Sequence, residues 1–339
     1  ARNIYGTIKR IVPILYNTVP YYLANLDLAK IRRLTMNRIR LVFVMFIWGS
    51  LGVFTRSIPL SALSLAFLRA LIALPVLFVV MKMKKADKVK WSLLKPYLIS
   101  GVLLGFGWLT LFYGFFHTSI SFAVIIYNMC PVYVLISAPL ILKETISKIQ
   151  IAVILVSFLG LFLIVGHNLL EGYGYMGMAL SAISGMLYAT IVLINRSIKV
   201  RVDNQTATFV QIFTAMIVLL PFVLIDGNIL KVVNLDAMAV IYTILLGILH
   251  TSVAYTMFFS LYTHMKSVEI MSYSYLEPLF AILFSVIFIG ETLIFPQIIG
   301  GILILGSTYI GEMLKDRRIS KEKDPIQMVT IDAYRSSEK

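Results

Sequence analysis

The sequence predicts an all-α membrane protein: ten transmembrane helices in two inverted five-helix repeats. Three observations carry that expectation. The composition is too apolar for a water-soluble fold, ten apolar runs have spanning length, and the chain matches itself at a constant offset of 147 residues. Hydrophobic residues are 59% and charged residues 14% of the 339, and mean hydropathy is +0.90. A soluble domain carries about 25% charged residues. Disordered, collagenous and disulfide-stapled classes are excluded on the same grounds, and one cysteine, Cys130, forbids an intramolecular disulfide.

A helix crosses the bilayer with about 20 mostly apolar residues. The runs lie at 39–56, 61–81, 96–116, 120–142, 149–166, 175–194, 206–225, 237–259, 267–289 and 296–314. They are continuous, unlike the short alternating segments of a barrel. The net charge of +14 does not point to nucleic acid, because the basic residues are dealt out between the apolar runs. Of the 30 lysines and arginines, all but Arg56, Lys231 and the intraspan Arg69 fall on one side if the N-terminus is inside. That bias places both termini in the cytoplasm of a multi-pass cell-membrane protein.

Residues 1–35 are too polar to span, with Lys9, Arg10, Asp27, Lys30, Arg32 and Arg33. Two readings stand for them. Met36 is the true initiator of a natural start, or the segment is an interfacial helix with Tyr16, Tyr21 and Tyr22 at the headgroups. Residues 315–339 form a polar cytoplasmic tail.

The internal repeat aligns 130–160 with 277–307 without a gap. Pro131 matches Pro278, Glu144 matches Glu291, Thr145 matches Thr292 and Gln150 matches Gln297. Spans four and five thereby map onto spans nine and ten. Five spans per half force the second half to insert upside down, a common transporter plan with its site near the midplane. A duplicated scaffold without transport is the alternative.

Several spans carry residues that apolar packing does not require. Pro131 and Pro278 each remove a backbone donor and disturb a carbonyl four residues earlier, Tyr127 and Ser274. Matched broken helices point to a site and a hinge, and a passive kink is the plainer account. Glu277 lies near the midplane, where a carboxylate must be neutral, paired or wet. It could couple a proton, bind a substrate ammonium, or make a buried structural hydrogen bond. Arg69 is the basic residue deepest in a span, and structural pairing competes there with an anionic substrate group. Trp108, Tyr127, Tyr188, Tyr255 and Tyr275 lie deeper than an interfacial belt requires, with Asn128 beside Tyr127. By the 147 offset, Tyr127 and Asn128 map onto Ser274 and Tyr275. His250 can titrate, or pack as a hydrogen-bonded core histidine. Gly101-x-x-x-Gly105, Gly107 and Gly300-Gly301 permit close helix contact. Glu144 and Glu291 fall at span ends, as helix-end or loop-capping groups.

These motifs, in their order, resemble EamA-type domains of the drug/metabolite transporter superfamily. The residues that carry the resemblance are Trp48-Gly49, Phe67-Leu68-Arg69, His250-Thr251-Ser252-Val253-Ala254-Tyr255, Tyr275-Leu276-Glu277-Pro278 and Gly290-Glu291-Thr292 through Gln297 to Gly300-Gly301. The first half departs from the pattern with Cys130-Pro131 and Lys143-Glu144. The resemblance covers about 39–314, and implies units at 36–166 and 172–314, alternating access around a central cavity, and export of small metabolites. A homodimer is compatible with it.

No phosphate-binding Gly-Lys loop, no His-x-x-x-His pair and no Gly-x-Ser-x-Gly elbow occurs in the sequence. No cofactor, metal or catalytic residue is expected. The expected function is a secondary transporter exporting a small polar metabolite, an amino acid or related compound, possible coupling to protons included. An importer or exchanger of another solute, and a non-transport membrane scaffold or enzyme, are the competing expectations.

Overall fold

The computed structural model describes residues 32–83, 90–118, 120–165, 174–290, 294–311 and 313–314. The expectations for residues 1–31, for the tail from 315 and for Glu291-Thr292 lie outside the described residues. Among the described residues every regular element is helical.

Among the described residues, eight helices are long and apolar enough to cross a membrane. They are α1 (Arg32–Thr55), α2 (Ala62–Met83), α3 (Trp91–His117), α4 (Ala123–Leu142), α6 (Tyr175–Ser197), α7 (Asn204–Asp226), α8 (Ala237–Leu261) and α9 (Ser267–Phe288). Two shorter apolar helices, α5 (Lys148–Ile164) and α10 (Phe295–Gly311), occupy the places of the fifth and tenth expected spans. Helices of that length rise about 26 Å, less than the ~30 Å hydrocarbon core. Among the described residues, the expected ten spans stand as eight of spanning length and two shorter ones.

The bundle wears its apolar residues outside. Phe116, Leu140 and Ile225 are 73%, 78% and 82% exposed. Large apolar patches of this kind face lipid rather than water, as suits a multi-pass membrane protein.

Small residues set the helix contacts. Any Cβ on Gly101 or Gly105 would meet α7 at 2.6 Å (Gln211 carbonyl) and 2.7 Å (Val218), so α3 and α7 approach closely at these positions. Gly160 of α5 abuts Gly300 of α10, and the hydroxyls of Ser157 and Ser307 meet at 2.9 Å beside them. Buried Asn195 of α6 ties three helices. Its amide donates to the Ile191 carbonyl, to Gln211 Oε1 at 3.0 Å on α7, and to Ser100 Oγ at 3.3 Å on α3.

The 147 offset reappears in the backbone. Helix α4 breaks at Asn128-Met129 and α9 at Tyr275, each just ahead of its proline. Pro131 starts the second piece of α4, where its missing donor costs nothing. Each broken helix then ends in a left-handed residue, Lys143 (φ 55°) and Gly290 (φ 76°), also 147 apart. Glycine adopts that conformation freely; lysine does so against Cβ sterics.

Candidate functional site: a charged cavity walled by aromatic rings

A cavity of about 350 Å³ lies where α1, α2, α3, α4, α6, α8 and α9 converge. It extends from the middle of the bundle toward Phe112 and Phe115, the end of α3 remote from Lys90 and Lys95. Most of the residues anticipated from sequence line it together: Arg69, Trp108, Tyr127, Asn128, Tyr188, Tyr255, Glu277 and Pro278.

The aromatic wall is continuous. Trp48 packs on Tyr255 at 5.0 Å and on Phe258 at 4.9 Å, and Tyr127 stacks on Tyr188 at 6.0 Å. The Arg69 guanidinium lies over the Trp108 ring, 4.5 Å from its centroid, and the Tyr255 hydroxyl is beside it. Such stacking holds the planar cation without a counter-anion. Arg69 Nε has no hydrogen-bond partner among the described residues, and no Arg69–Glu277 ion pair closes within 4 Å. A guanidinium and a carboxyl group thus face one cavity with no ion pair between them within 4 Å.

Three expected residues do not line the cavity. His250 is fully buried behind it, with Nε2 2.9 Å from Ser50 Oγ. It lies in a π-helical stretch of α8, Leu246–Val253. A π turn leaves backbone groups out of the regular α ladder, and the His250 carbonyl accepts the Trp48 indole N–H at 3.0 Å. Tyr275 is also fully buried, and its hydroxyl donates to the Asn128 carbonyl at 3.3 Å, its own partner at the 147 offset. The breaks in α4 and α9 are therefore bonded to each other. Pro131 is buried at the break in α4 rather than in the cavity wall.

Sequence reasoning overlooked Trp48, Gly49 and Ser184 as builders of the site. Gly49 of α1 seats α9: a Cβ there would lie 2.5 Å from Phe280 Cβ and 2.9 Å from the Glu277 carbonyl. Gly185 of α6 seats α4 in the same way, at 2.8 Å from the Tyr127 carbonyl. The residue before each glycine donates across the halves, Trp48 to His250 and Ser184 to the Gly107 carbonyl at 2.8 Å. A donor followed by glycine at like depth in spans one and six was the available signal. Among the described residues no three His, Cys, Asp or Glu converge as a metal site would require.

A polytopic helical bundle with a central, partly charged cavity between two related halves defines the class, a membrane transporter. The chain belongs to the EamA-like transporter family, whose model matches residues 39–166 and again 175–311. It is 30% identical over 282 residues to an uncharacterized transporter, YxxF, of Bacillus subtilis (strain 168), covering 78% of this chain and 86% of that one. An uncharacterized transporter of Archaeoglobus fulgidus is 28% identical over 281 residues, 80% of this chain and 95% of its own. A protein of known crystal structure shares the fold with a TM-score of 0.67 at 15% identity, over 82% of this chain and 99% of its own.

Proposed function

We propose that the protein is a secondary transporter that exports a small zwitterionic metabolite of amino-acid type by alternating access. The observation that supports this most is that Arg69 and Glu277 face one aromatic-walled cavity with no ion pair between them within 4 Å. A substrate carboxylate would meet the Arg69 fork, which suits planar anions. Its ammonium would meet Glu277, and its apolar part the rings of Trp48, Trp108 and Tyr188. A multi-anionic solute fits poorly, since among the described residues Arg69 is the one cation lining the cavity.

In this reading α5 and α10 also cross the bilayer, giving ten spans in two inverted units, and both termini are cytoplasmic. Alternating access would then hinge at the breaks before Pro131 and Pro278. Growth of overexpressing cells on toxic amino-acid analogues tests the proposal, with Glu277→Gln run beside wild type at equal membrane abundance. Protection against zwitterionic analogues that is lost in Glu277→Gln is expected. Protection confined to cationic drugs, or full protection by the variant, would overturn it.

A further inference from the structure

The basic end of the bundle is shut by a set of bonds that the transport cavity does not use. Lys143, Arg196, Lys199, Arg201 and Lys266 mark this end, where α4, α6 and α8 finish and α9 begins. Glu144 follows the left-handed Lys143, which turns the chain off α4. Its carboxylate accepts the Arg196 Nε–H of α6 at 2.9 Å. It also accepts the Ser267 hydroxyl at 2.7 Å and the Ser267 backbone N–H at 3.1 Å, so it caps α9 from outside. A carboxylate at a helix N-terminus is favoured by the free N–H groups there. Arg196 in turn donates to the Tyr262 carbonyl at 2.8 Å, and Lys266 donates to Thr145 Oγ1 at 2.9 Å.

Glu144 therefore joins the two broken helices, α4 and α9, at the basic end, in addition to the Tyr275–Asn128 bond at their breaks. Beside it the seam between the two helices is packed: Cys130, Val134 and Ala138 of α4 and Met271 and Tyr275 of α9 are all buried. Cys130 Sγ meets Met271 Sδ at 3.9 Å across this seam. A second cavity, about 560 Å³, lies at the basic end between α5, α9 and α10, lined by Gln150, Val153, Arg196, Lys266, Ser272 and Thr308 among others. The bonds of Glu144 and of its neighbour Thr145 border this second cavity through Arg196 and Lys266, and the two cavities share no lining residue.

We propose that Glu144, held by Arg196 and Ser267, is the latch of the basic-side gate. Its release lets α4 and α9 part, and joins the two cavities into one path. This inference rests on the alternating-access reading above and assigns Glu144 a positioning role, without contact to substrate.

The sole cysteine supplies a reporter that needs no substrate. Cys130 sits in the seam that would open. Its reaction with a membrane-impermeant maleimide is followed in vesicles of both orientations, and a separate Lys199→Cys variant marks the basic face. Loss of charge-assisted bonds worth about a factor of ten each sets the expectation. Glu144→Ala labels at Cys130 from the basic face at least about tenfold faster than wild type, Ser267→Ala shows a smaller rise, and labelling from the other face stays at the wild-type rate. Equal acceleration from both faces means a loosened fold and overturns the latch. So do wild-type rates in both variants, or wild-type labelling of Ser267→Ala when Glu144→Ala does not reach the membrane. Latch behaviour without export of any amino-acid analogue would sink the proposed function and leave the latch standing.

Discussion

Two glycines three residues apart on α1 should respond oppositely to the same methyl group. Gly49 is pressed against α9, and a Cβ there would lie 2.5 Å from Phe280 Cβ, 2.9 Å from the Glu277 carbonyl and 3.0 Å from the Ala281 nitrogen. Two of those three atoms are backbone, so relief needs α9 to move as a body rather than a side chain to rotate. Gly52 has nothing within 4 Å of the same position. Both residues are helical, so both substitutions gain the ~1 kcal/mol by which alanine exceeds glycine in a helix. That gain cancels in the comparison, which leaves the overpacking cost of about 1–3 kcal/mol at Gly49. Gly52→Ala should melt at or above wild type in detergent, and Gly49→Ala below Gly52→Ala by the equivalent of that difference. The displaced α9 also carries Glu277, so Gly49→Ala should lose transport per folded molecule. Equal melting of the two variants would refute the close seating of α9 on α1.

Other perturbations have equally definite outcomes. Lys143 holds a left-handed conformation that its repeat partner Gly290 adopts without cost, so Lys143→Gly should raise stability by about 1 kcal/mol; a lower melting temperature would contradict the strain. Arg69→Lys keeps the charge but loses the planar stacking on Trp108. Substrate affinity measured in proteoliposomes should fall about tenfold or more, and wild-type affinity would show that the stack does not hold the cation for binding. His264, outside the spanning helices, has its pKa lowered by burial and by the charges of Arg33, Arg40 and Arg201. Below about pH 6.5 the unfolded chain then binds a proton that the folded one resists, so stability falls as pH falls through that value. His264→Gln should flatten that part of a melting-versus-pH curve, and an unchanged slope would remove His264 as its cause.

The class of the molecule was legible in the sequence because bilayer thickness acts on every residue of a run at once. Long apolar stretches have few other uses, and the basic loops between them are explained by the same membrane. The breaks before Pro131 and Pro278 were also readable, since a missing N–H acts locally whatever the helix packs against. Their register survived into paired left-handed ends at Lys143 and Gly290.

What faces the cavity was decided only by the tertiary structure. In a soluble protein a helix displays its buried side by periodicity. Here both lipid and core accept leucine, so the 3.6-residue pattern is almost erased and depth alone is left to guide the choice. Depth selected Arg69, Glu277 and Trp108, which do share a wall, and equally selected His250 and Tyr275, which do not. The π-helical turn of α8 places the His250 ring behind α1, and the break in α9 turns the Tyr275 hydroxyl onto Asn128. Nor could spacing reveal that Glu144 caps a helix 123 residues away. Such contacts depend on how two halves cross, a relation between distant segments that local sequence chemistry does not contain.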